Sequence, residues 1–358
     1  MKKRIKQLQS RLGRENLDAI IVTDLEHIRY MCGFSCTELL DGLLVVLKTS
    51  AHLFTDFRYT EQAAAEVSGA KVHIVRKKIE EICGFKPLQK THFKIAFEST
   101  NLPFEYVGKF RDTLTSAVFL PASGYVEELA LVKDNDEIGC IKEAAKIADV
   151  AFERILGVIE PGVTENEVAA ELEYQMKIQG SEKPAFETIV ASGWRAALPH
   201  GLASDKKIKK GEMITFDFGA VYKGYACDIT RTVFVGPTSS KQKKVYNLVL
   251  KAQKKALSMA KAGITGEKLD SYARSIIARG GYEKQFGHGL GHGVGMKVHE
   301  GPRVAPQSDY VLKAGNVVTI EPGIYIPKWG GVRIEDDIVI RRNGCSVLNK
   351  APKELIEL

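Results

Sequence analysis

The chain has 358 residues, enough for two or three domains of ordinary size. With 44% hydrophobic and 27% charged residues it is too apolar to stay disordered. Apolar stretches such as Ala19 to Val22 and Leu43 to Leu47 fall far short of a membrane span. The formal net charge of +7 admits an anionic partner, but the basic clusters Lys206 to Lys210 and Lys241 to Lys244 carry no interleaved aromatics for base stacking, which argues against nucleic acid.

The basic start, Met1 to Lys6, lacks the apolar core of a signal peptide, so a cytoplasmic location is expected. Six scattered cysteines, with Cys32 and Cys36 the one close pair, make neither a disulfide scaffold nor a zinc site. Ile5, Leu8, Leu12 and Leu17 give a helical stripe. Strands are predicted at Asp18 to Thr23, Leu43 to Leu47, Ala51 to Thr55 and Lys71 to Val75, with a helix over Tyr59 to Val67. Such alternation predicts an α/β domain over residues 1–130, ending in the loop-rich Pro121 to Val126.

A second domain is expected over 137–358. Asn135 or Asp136 is placed to cap a long helix over Glu137 to Ile159, which Pro161-Gly162 terminates. Thr164 and Glu167 form a capping box ahead of a helix over Val168 to Gly180. Glycine-rich, strand-like segments at Phe186 to Gly236 and from Gly287 onward enclose helices over Gln242 to Ala262 and Gly266 to Gly280.

This domain contains an internal repeat. Gly211-Glu-Met-Ile-Thr-Phe-Asp217-Phe-Gly219 aligns with Gly315-Asn-Val-Val-Thr-Ile-Glu321-Pro-Gly323. Each copy turns through glycines and returns with a second acid, Asp228 eleven residues after Asp217 and Glu335 fourteen after Glu321. Both spacings predict antiparallel hairpins that set their two acids side by side on one face. Two such hairpins about a pseudo-twofold bring four carboxylates together, and four buried anions need a divalent cation, or two, as counter-charge.

Three histidines follow within twelve residues, His288, His292 and His299, where glycine occupies every second position from Gly287 to Gly295. That alternation allows close approach of backbone and ligand. No dinucleotide fingerprint, Walker A, zincin or nucleophile-elbow motif is present. Carboxylates with one imidazole favour Mn²⁺, Co²⁺, Fe²⁺ or Zn²⁺ over a thiolate-bound metal. Cys227, beside Asp228, points by strand alternation to the opposite face and reads as packing.

In order along the chain, Ile28 to Phe34, Leu53 to Tyr59, Ile189 to Gly193, Leu198-Pro-His200-Gly, Phe216-Asp217-Phe-Gly, Asp228-Ile-Thr-Arg-Thr, His288-Gly-Leu-Gly-His292, Val298-His299-Glu, Thr319-Ile-Glu321-Pro-Gly and Arg333-Ile-Glu335-Asp-Asp resemble the creatinase/aminopeptidase, or pita-bread, metallopeptidases, and within them the Xaa-Pro peptidases. The resemblance spans nearly the whole chain. It implies a creatinase-like α/β N-terminal domain and an α+β pita-bread catalytic domain with a pseudo-twofold repeat. It implies five metal ligands, Asp217, Asp228, His292, Glu321 and Glu335, with Asp228 and Glu335 bridging two divalent ions, manganese foremost.

By the same resemblance His200, His288 and His299 line the substrate pocket, Arg333 supports Glu335 or a substrate carboxylate, and Tyr325 supports the ligands. Glu321 would shuttle a proton, and His288 or His299 would stabilise the oxyanion formed when a hydroxide held between the ions attacks an Xaa-Pro bond. The implied partners are proline-containing peptides and a second copy in a homodimer, with the N-terminal domain limiting substrate length; no membrane partner is expected. A methionine or other non-proline metalloaminopeptidase is the main alternative. A non-enzymatic binding module of the same fold is another, disfavoured because all five ligand types are intact.

Overall fold

Two continuous apolar runs organise the first part of the chain. The computed structural model describes residues 1–358 and divides into two compact units, Met1–Ala130 and Leu131–Leu358. In the first unit, β1 (Ala19–Val22) and β2 (Gly42–Leu47) are buried at every position, which places them at the centre of a sheet covered on both faces. With β3 (Ala51–Thr55), β4 (Lys71–Ile74), β5 (Lys94–Glu98) and β6 (Val118–Ala122) they form a six-stranded mixed sheet in the order β4-β3-β2-β1-β5-β6.

The helices of this unit are α1 (Lys2–Arg14), α2 (Leu25–Cys32), α3 (Thr60–Glu66), α4 (Lys78–Cys83), α5 (Phe104–Thr113) and α6 (Glu127–Ala130). Ile5, Leu8 and Leu12 are the buried stripe of α1, and Leu17 is buried just beyond its end. Ile82 of α4 and Phe110 of α5 pack on the sheet face that carries Ile21, Leu43 and Val45.

The second unit opens with α7 (Asn135–Ile155) and α8 (Glu165–Ile178). Asp134 caps α7, rather than Asn135 or Asp136, because Glu137 lies three residues on and its side chain closes a reciprocal box. The helix stops at Ile155, short of the expected Ile159; a turn over 156–158 leads out, and Pro161 disfavours helical backbone at the residue before it. α8 starts at Glu165, not Val168, because the three residues inside its Thr164–Glu167 box are themselves the first helical turn. Phe152 of α7 meets Phe216 and Phe218, with ring centroids 5.9 and 6.2 Å apart. Each such buried ring contributes roughly 1.5–3 kcal/mol.

Two antiparallel sheets carry the repeat. The first, β11-β8-β7, joins β7 (Ile189–Ser192), β8 (Met213–Phe218) and β11 (Ile229–Phe234). A small ribbon, β9 (Val221–Tyr222) with β10 (Tyr225–Ala226), is inserted between β8 and β11. After α9 (Ser240–Met259) and α10 (Gly266–Arg279) come β12 (Gly291–Gly293), β13 (Glu300–Val304), β14 (Val317–Ile320), β15 (Gly323–Ile326), β16 (Gly330–Arg333), β17 (Asp336–Arg341) and β18 (Gly344–Val347).

The second sheet runs β13-β12-β14-β17-β18, and here too a ribbon, β15 with β16, interrupts the β14–β17 hairpin. The expected plain hairpins are therefore two hairpins with inserted ribbons, and their acids are not side-by-side strand residues. Asp217 lies within β8, opposite Thr230, whereas Asp228, Glu321 and Glu335 stand where chain passes between ladder and ribbon. No helix is long and apolar enough to cross a membrane.

On the first unit's sheet, His52 Nδ1 lies 2.9 Å from His73 Nε2, and His52 Nε2 lies 2.9 Å from Ser50 Oγ. The His73 ring stacks on Phe54 at 4.6 Å. Burial, followed by the charges of His73 and Lys71, pushes His52 down from 6.5 to about 4. The unfolded chain thus binds this proton more readily. The contribution of His52 to stability is complete above about pH 6.5 and is lost as pH falls toward about 4. Amide exchange in β3 and β4 is expected to accelerate over that window in the wild type and to change less in His52→Phe; equal acceleration in both would contradict the assignment.

Candidate metal centre

Three strand ends and one glycine-rich strand converge in the second unit. The ligand atoms of Asp217, Asp228 and Glu335 all lie within 4.8 Å of one another, as do those of His292, Glu321 and Glu335, and those of Asp228, His292 and His299. All five residues expected as ligands are in this linked set, joined by His299. Asp228 and Glu335 are buried; Asp217, Glu321 and His292 are half-buried.

The alternating glycines serve the sheet more than a ligand. A Cβ on Gly291 would stand 2.0 Å from the Thr319 carbonyl oxygen, and one on Gly293 would stand 1.9 Å from that of Gly301. Glycine lets β12 lie this close between β13 and β14, and so sets His292 into the cluster. The His292 N–H donates to Thr319 Oγ1 at 3.1 Å, and its ring Nδ1 lies 3.1 Å from the Gly293 carbonyl oxygen. A carbonyl only accepts, so Nδ1 carries the proton and Nε2 faces Glu321 at 3.3 Å and Asp228 at 3.7 Å.

The carboxylates are left in electrical deficit. Burial, then Glu335 and Asp217, raise the Asp228 carboxyl well above its ordinary range; burial, then Glu321 and Asp217, do the same to Glu335. Burial also opposes ionisation of Glu321, but His292, His288 and Arg333 hold it below the usual carboxylate value. Asp217 Oδ1, Asp228 Oδ1 and Glu335 Oε1 are buried without a hydrogen-bond partner. Buried acceptors are ordinarily satisfied, so three orphaned carboxylate oxygens at one point fit a divalent cation.

The opposite oxygens are held from behind. Thr230 Oγ1 donates to Glu335 Oε2 at 2.6 Å. The buried Arg333 guanidinium donates to Asp217 Oδ2, to Thr230 Oγ1 at 2.9 Å and to the Tyr325 hydroxyl at 2.7 Å. Arg333 thus supports Asp217 directly and reaches the expected Glu335 only through Thr230. All three of its nitrogens are engaged, which leaves it poorly placed for the expected substrate carboxylate.

Tyr325 braces His288 directly and the expected ligand Asp217 through Arg333. Its hydroxyl lies 2.9 Å from His288 Nε2, while His288 Nδ1 lies 2.7 Å from the Gly289 carbonyl oxygen. Burial keeps His288 neutral, so Nδ1–H donates to the carbonyl and Nε2 accepts from Tyr325. With both nitrogens occupied, His288 is not equivalent to His299 as an oxyanion donor. The His299 ring stands against that of His292 at 4.4 Å. His200 lies exposed on the loop after a 3₁₀ turn at Gly193–Ala197. Cys227 is buried and accepts from the Ala220 N–H at 3.2 Å, as packing requires.

The roles of Thr230 and Asp337 emerge only in the structure. Thr230 lies two residues after Asp228 yet bonds Glu335; Asp337 lies two residues after Glu335 and accepts from the Asp228 N–H at 2.8 Å. Each repeat copy thus steadies the other's acid. Reading two positions past each acid in the alignment would have exposed the pair. Arg231, fully buried, donates to the Glu335 carbonyl oxygen and to Asp336 Oδ1 at 2.8 Å, which fixes the backbone beside the cluster.

Paired hairpins closing on carboxylates and imidazole define a metal-dependent hydrolase of the pita-bread class. Residues 139–342 match Metallopeptidase family M24, and residues 4–132 match the Creatinase/Prolidase N-terminal domain. The chain belongs to metallopeptidase family M24. It is similar to a solved Xaa-Pro dipeptidase from Bacillus anthracis, at 46% identity over 99% of both chains with a TM-score of 0.95. It is also similar to a prolidase from Pyrococcus horikoshii OT3, at 42% identity over 99% of this chain and 100% of that one, TM-score 0.93. It is similar, too, to an X-Pro aminopeptidase from Thermotoga maritima MSB8, at 38% identity over 97% of this chain and 100% of that one, TM-score 0.90.

Carboxyls raised by burial and by one another hold their protons more tightly until a cation displaces them. Calorimetric titration of the stripped protein with Mn²⁺ near pH 7 is expected to release protons, seen as a heat that varies with the ionisation enthalpy of the buffer. A buffer-independent heat would contradict the charge deficit. Thr230→Val, which removes the hydroxyl behind Glu335, is expected to weaken metal affinity by about 10–100-fold. Unchanged affinity would remove Thr230 from the support of the centre.

Proposed function

We propose that the chain is an Xaa-Pro dipeptidase working with two divalent ions, Mn²⁺ foremost, as a homodimer in the cytoplasm. The observation that carries this reading is the set of orphaned carboxylate oxygens on a chain that aligns end to end with the Bacillus anthracis and Pyrococcus horikoshii enzymes. Asp217, Asp228, His292, Glu321 and Glu335 would hold the ions. Divalent ions held there polarise a scissile carbonyl and bring the pKa of a bound water from about 15.7 toward about 7.

The residues then have distinct tasks. Glu321 accepts at Oε1 from Thr319 Oγ1 at 3.2 Å, which leaves Oε2 to take the water's proton and pass it to the leaving nitrogen. In an Xaa-Pro bond that nitrogen has no N–H of its own, so the delivered proton makes it a departing secondary amine. His299 donates to the developing oxyanion. His288, fixed between Tyr325 and Gly289, shapes the wall of the pocket, and His200 lies on its rim. The centre asks nothing of a thiol, which suits the six free cysteines.

Likeness to the Thermotoga maritima enzyme favours a second reading, an aminopeptidase that takes longer peptides with proline second. Hydrolysis of Ala-Pro and Ala-Pro-Pro-Ala decides between them. The dipeptidase reading expects cleavage of Ala-Pro alone, abolished by EDTA and restored by Mn²⁺, with Asp228→Asn at least about 100-fold slower. Cleavage of the longer peptide gives the aminopeptidase. Failure on both peptides with metal bound, together with cleavage of Met-Ala, would return the non-proline alternative.

A further inference from the structure

Outside the metal centre, Glu165, the first residue of α8, is a buried carboxylate. Its side chain is fully buried, and both carboxylate oxygens are used. Oε1 accepts from the Ser192 N–H at 2.7 Å and from Ser192 Oγ at 2.8 Å. Oε2 accepts from Arg195 Nε at 2.9 Å and from Ser204 Oγ at 2.7 Å. All four donors belong to one segment, Ser192 to Ser204. Lys206 Nζ adds a bond to Ser192 Oγ at 2.7 Å and one to Glu212 at 2.6 Å, closing the network.

That segment has a functional position. It carries the 3₁₀ turn, the exposed apolar side chains of Trp194, Leu198 and Leu202, and His200. It also rests against the strand that bears Arg333. A Cβ on Gly331 would stand 2.1 Å from the Ala196 carbonyl oxygen, so β16 lies directly on the turn. The Pro199 carbonyl oxygen accepts from Arg333 at 3.4 Å. Within the segment, Arg195 donates onward to the Leu202 carbonyl oxygen at 2.5 Å. The loop is therefore pinned at both ends by one carboxylate and braced in the middle by the outer support of the metal centre.

Ala196 is the segment's one hydrophobic side chain in the buried core, and three others are exposed, so apolar burial orders it only at the turn. The rest of the ordering comes from charge-assisted bonds, which are about twice as strong as neutral ones. We infer that Glu165 is a positioning residue for substrate: without touching substrate or metal, it holds the Ser192 to Ser204 segment so that His200 and its apolar neighbours form one wall of the peptide site. This rests on the proposed peptidase reading for its kinetic consequence, and on structure alone for the loop order.

The test uses Glu165→Gln in the full-length, metal-loaded protein. The amide keeps the shape but sets an NH₂ group against two of the donors. KM for Ala-Pro is expected to rise about tenfold with kcat changed less than about threefold, the pattern of lost substrate binding rather than lost chemistry. Metal content stays at the wild-type value. Because Glu165 acts through the His200 segment, Glu165→Gln adds little to KM when His200→Ala is already present. Multiplying effects in the double variant, or loss of metal in the single one, would overturn the assignment.

Loop order is read without any activity. The chain has two tryptophans, so in a Trp329→Phe background the emission comes from Trp194 alone. Acrylamide quenching of Trp194 is expected to increase in Glu165→Gln. Should that variant not fold, Ser204→Ala removes one donor and is expected to move both KM and quenching the same way by a smaller amount. Unchanged quenching in the variant that folds would overturn the proposal. Wild-type protein that cleaves no Xaa-Pro peptide would instead sink the peptidase reading, with the Trp194 result still deciding the role of Glu165.

Discussion

Repulsion among four carboxylates is the constraint on which the second unit is built. Asp217, Asp228 and Glu335 come within 4.8 Å of one another, Glu335 links them to Glu321, and burial of Asp228 and Glu335 withholds the water that would solvate their charge. Left alone, such a cluster pushes its members toward the protonated form, as Asp228 and Glu335 show. The surrounding fold tolerates this because one oxygen of each of Asp217 and Glu335 is engaged from behind while the other is left bare. A site that satisfied every oxygen would be more stable and would have no use for a cation.

The repeat explains how one chain can keep so unfavourable a group in place. Each hairpin interrupts its ladder with a ribbon, so Asp228, Glu321 and Glu335 are carried on backbone leaving the sheet, while Asp217 is held within β8. The two copies then exchange support, Thr230 to Glu335 and Asp337 to the Asp228 backbone. Neither hairpin completes the centre alone. The coupling makes the geometry cooperative: a shift of one copy strains the other, and the intact packing of both cores opposes it. Buried apolar residues on both sides, Phe216 and Ile229 in one cluster and Ile320 and Ile338 in the other, supply that rigidity.

Much of this was legible in sequence, and the reasons for the rest are local. Buried strands such as Leu43 to Leu47 announce themselves as apolar runs, and the acids stand out because the Gly-x₃-Thr frame occurs twice. The ribbons were hidden, since two-residue strands such as Val221–Tyr222 carry no period. The cap at Asp134 falls one residue before the expected pair, in a run of three side chains, Asp134, Asn135 and Asp136, each able to cap. The partner of Arg333 could not be read at all. It is Asp217, 116 positions away, and only the crossing of β16 over β8 brings them together. Nothing in the sequence marks Glu165, because its four donors lie 27 to 39 residues downstream.

Charge balance supplies the argument for more than one ion. Four carboxylates face the cluster, and Arg333 is the one permanent cation bonded among them, through Asp217. His292 binds best as a neutral ligand, with its Nδ1 proton given to Gly293. One divalent ion would leave the ionised centre anionic and repel both an attacking anion and a peptide carboxylate. A second ion turns the balance positive, so that developing negative charge on the scissile carbonyl is stabilised where it forms. Three separate ligand triplets in one cluster, overlapping at Asp228, Glu335 and His292, are the donor arrangement such a pair requires.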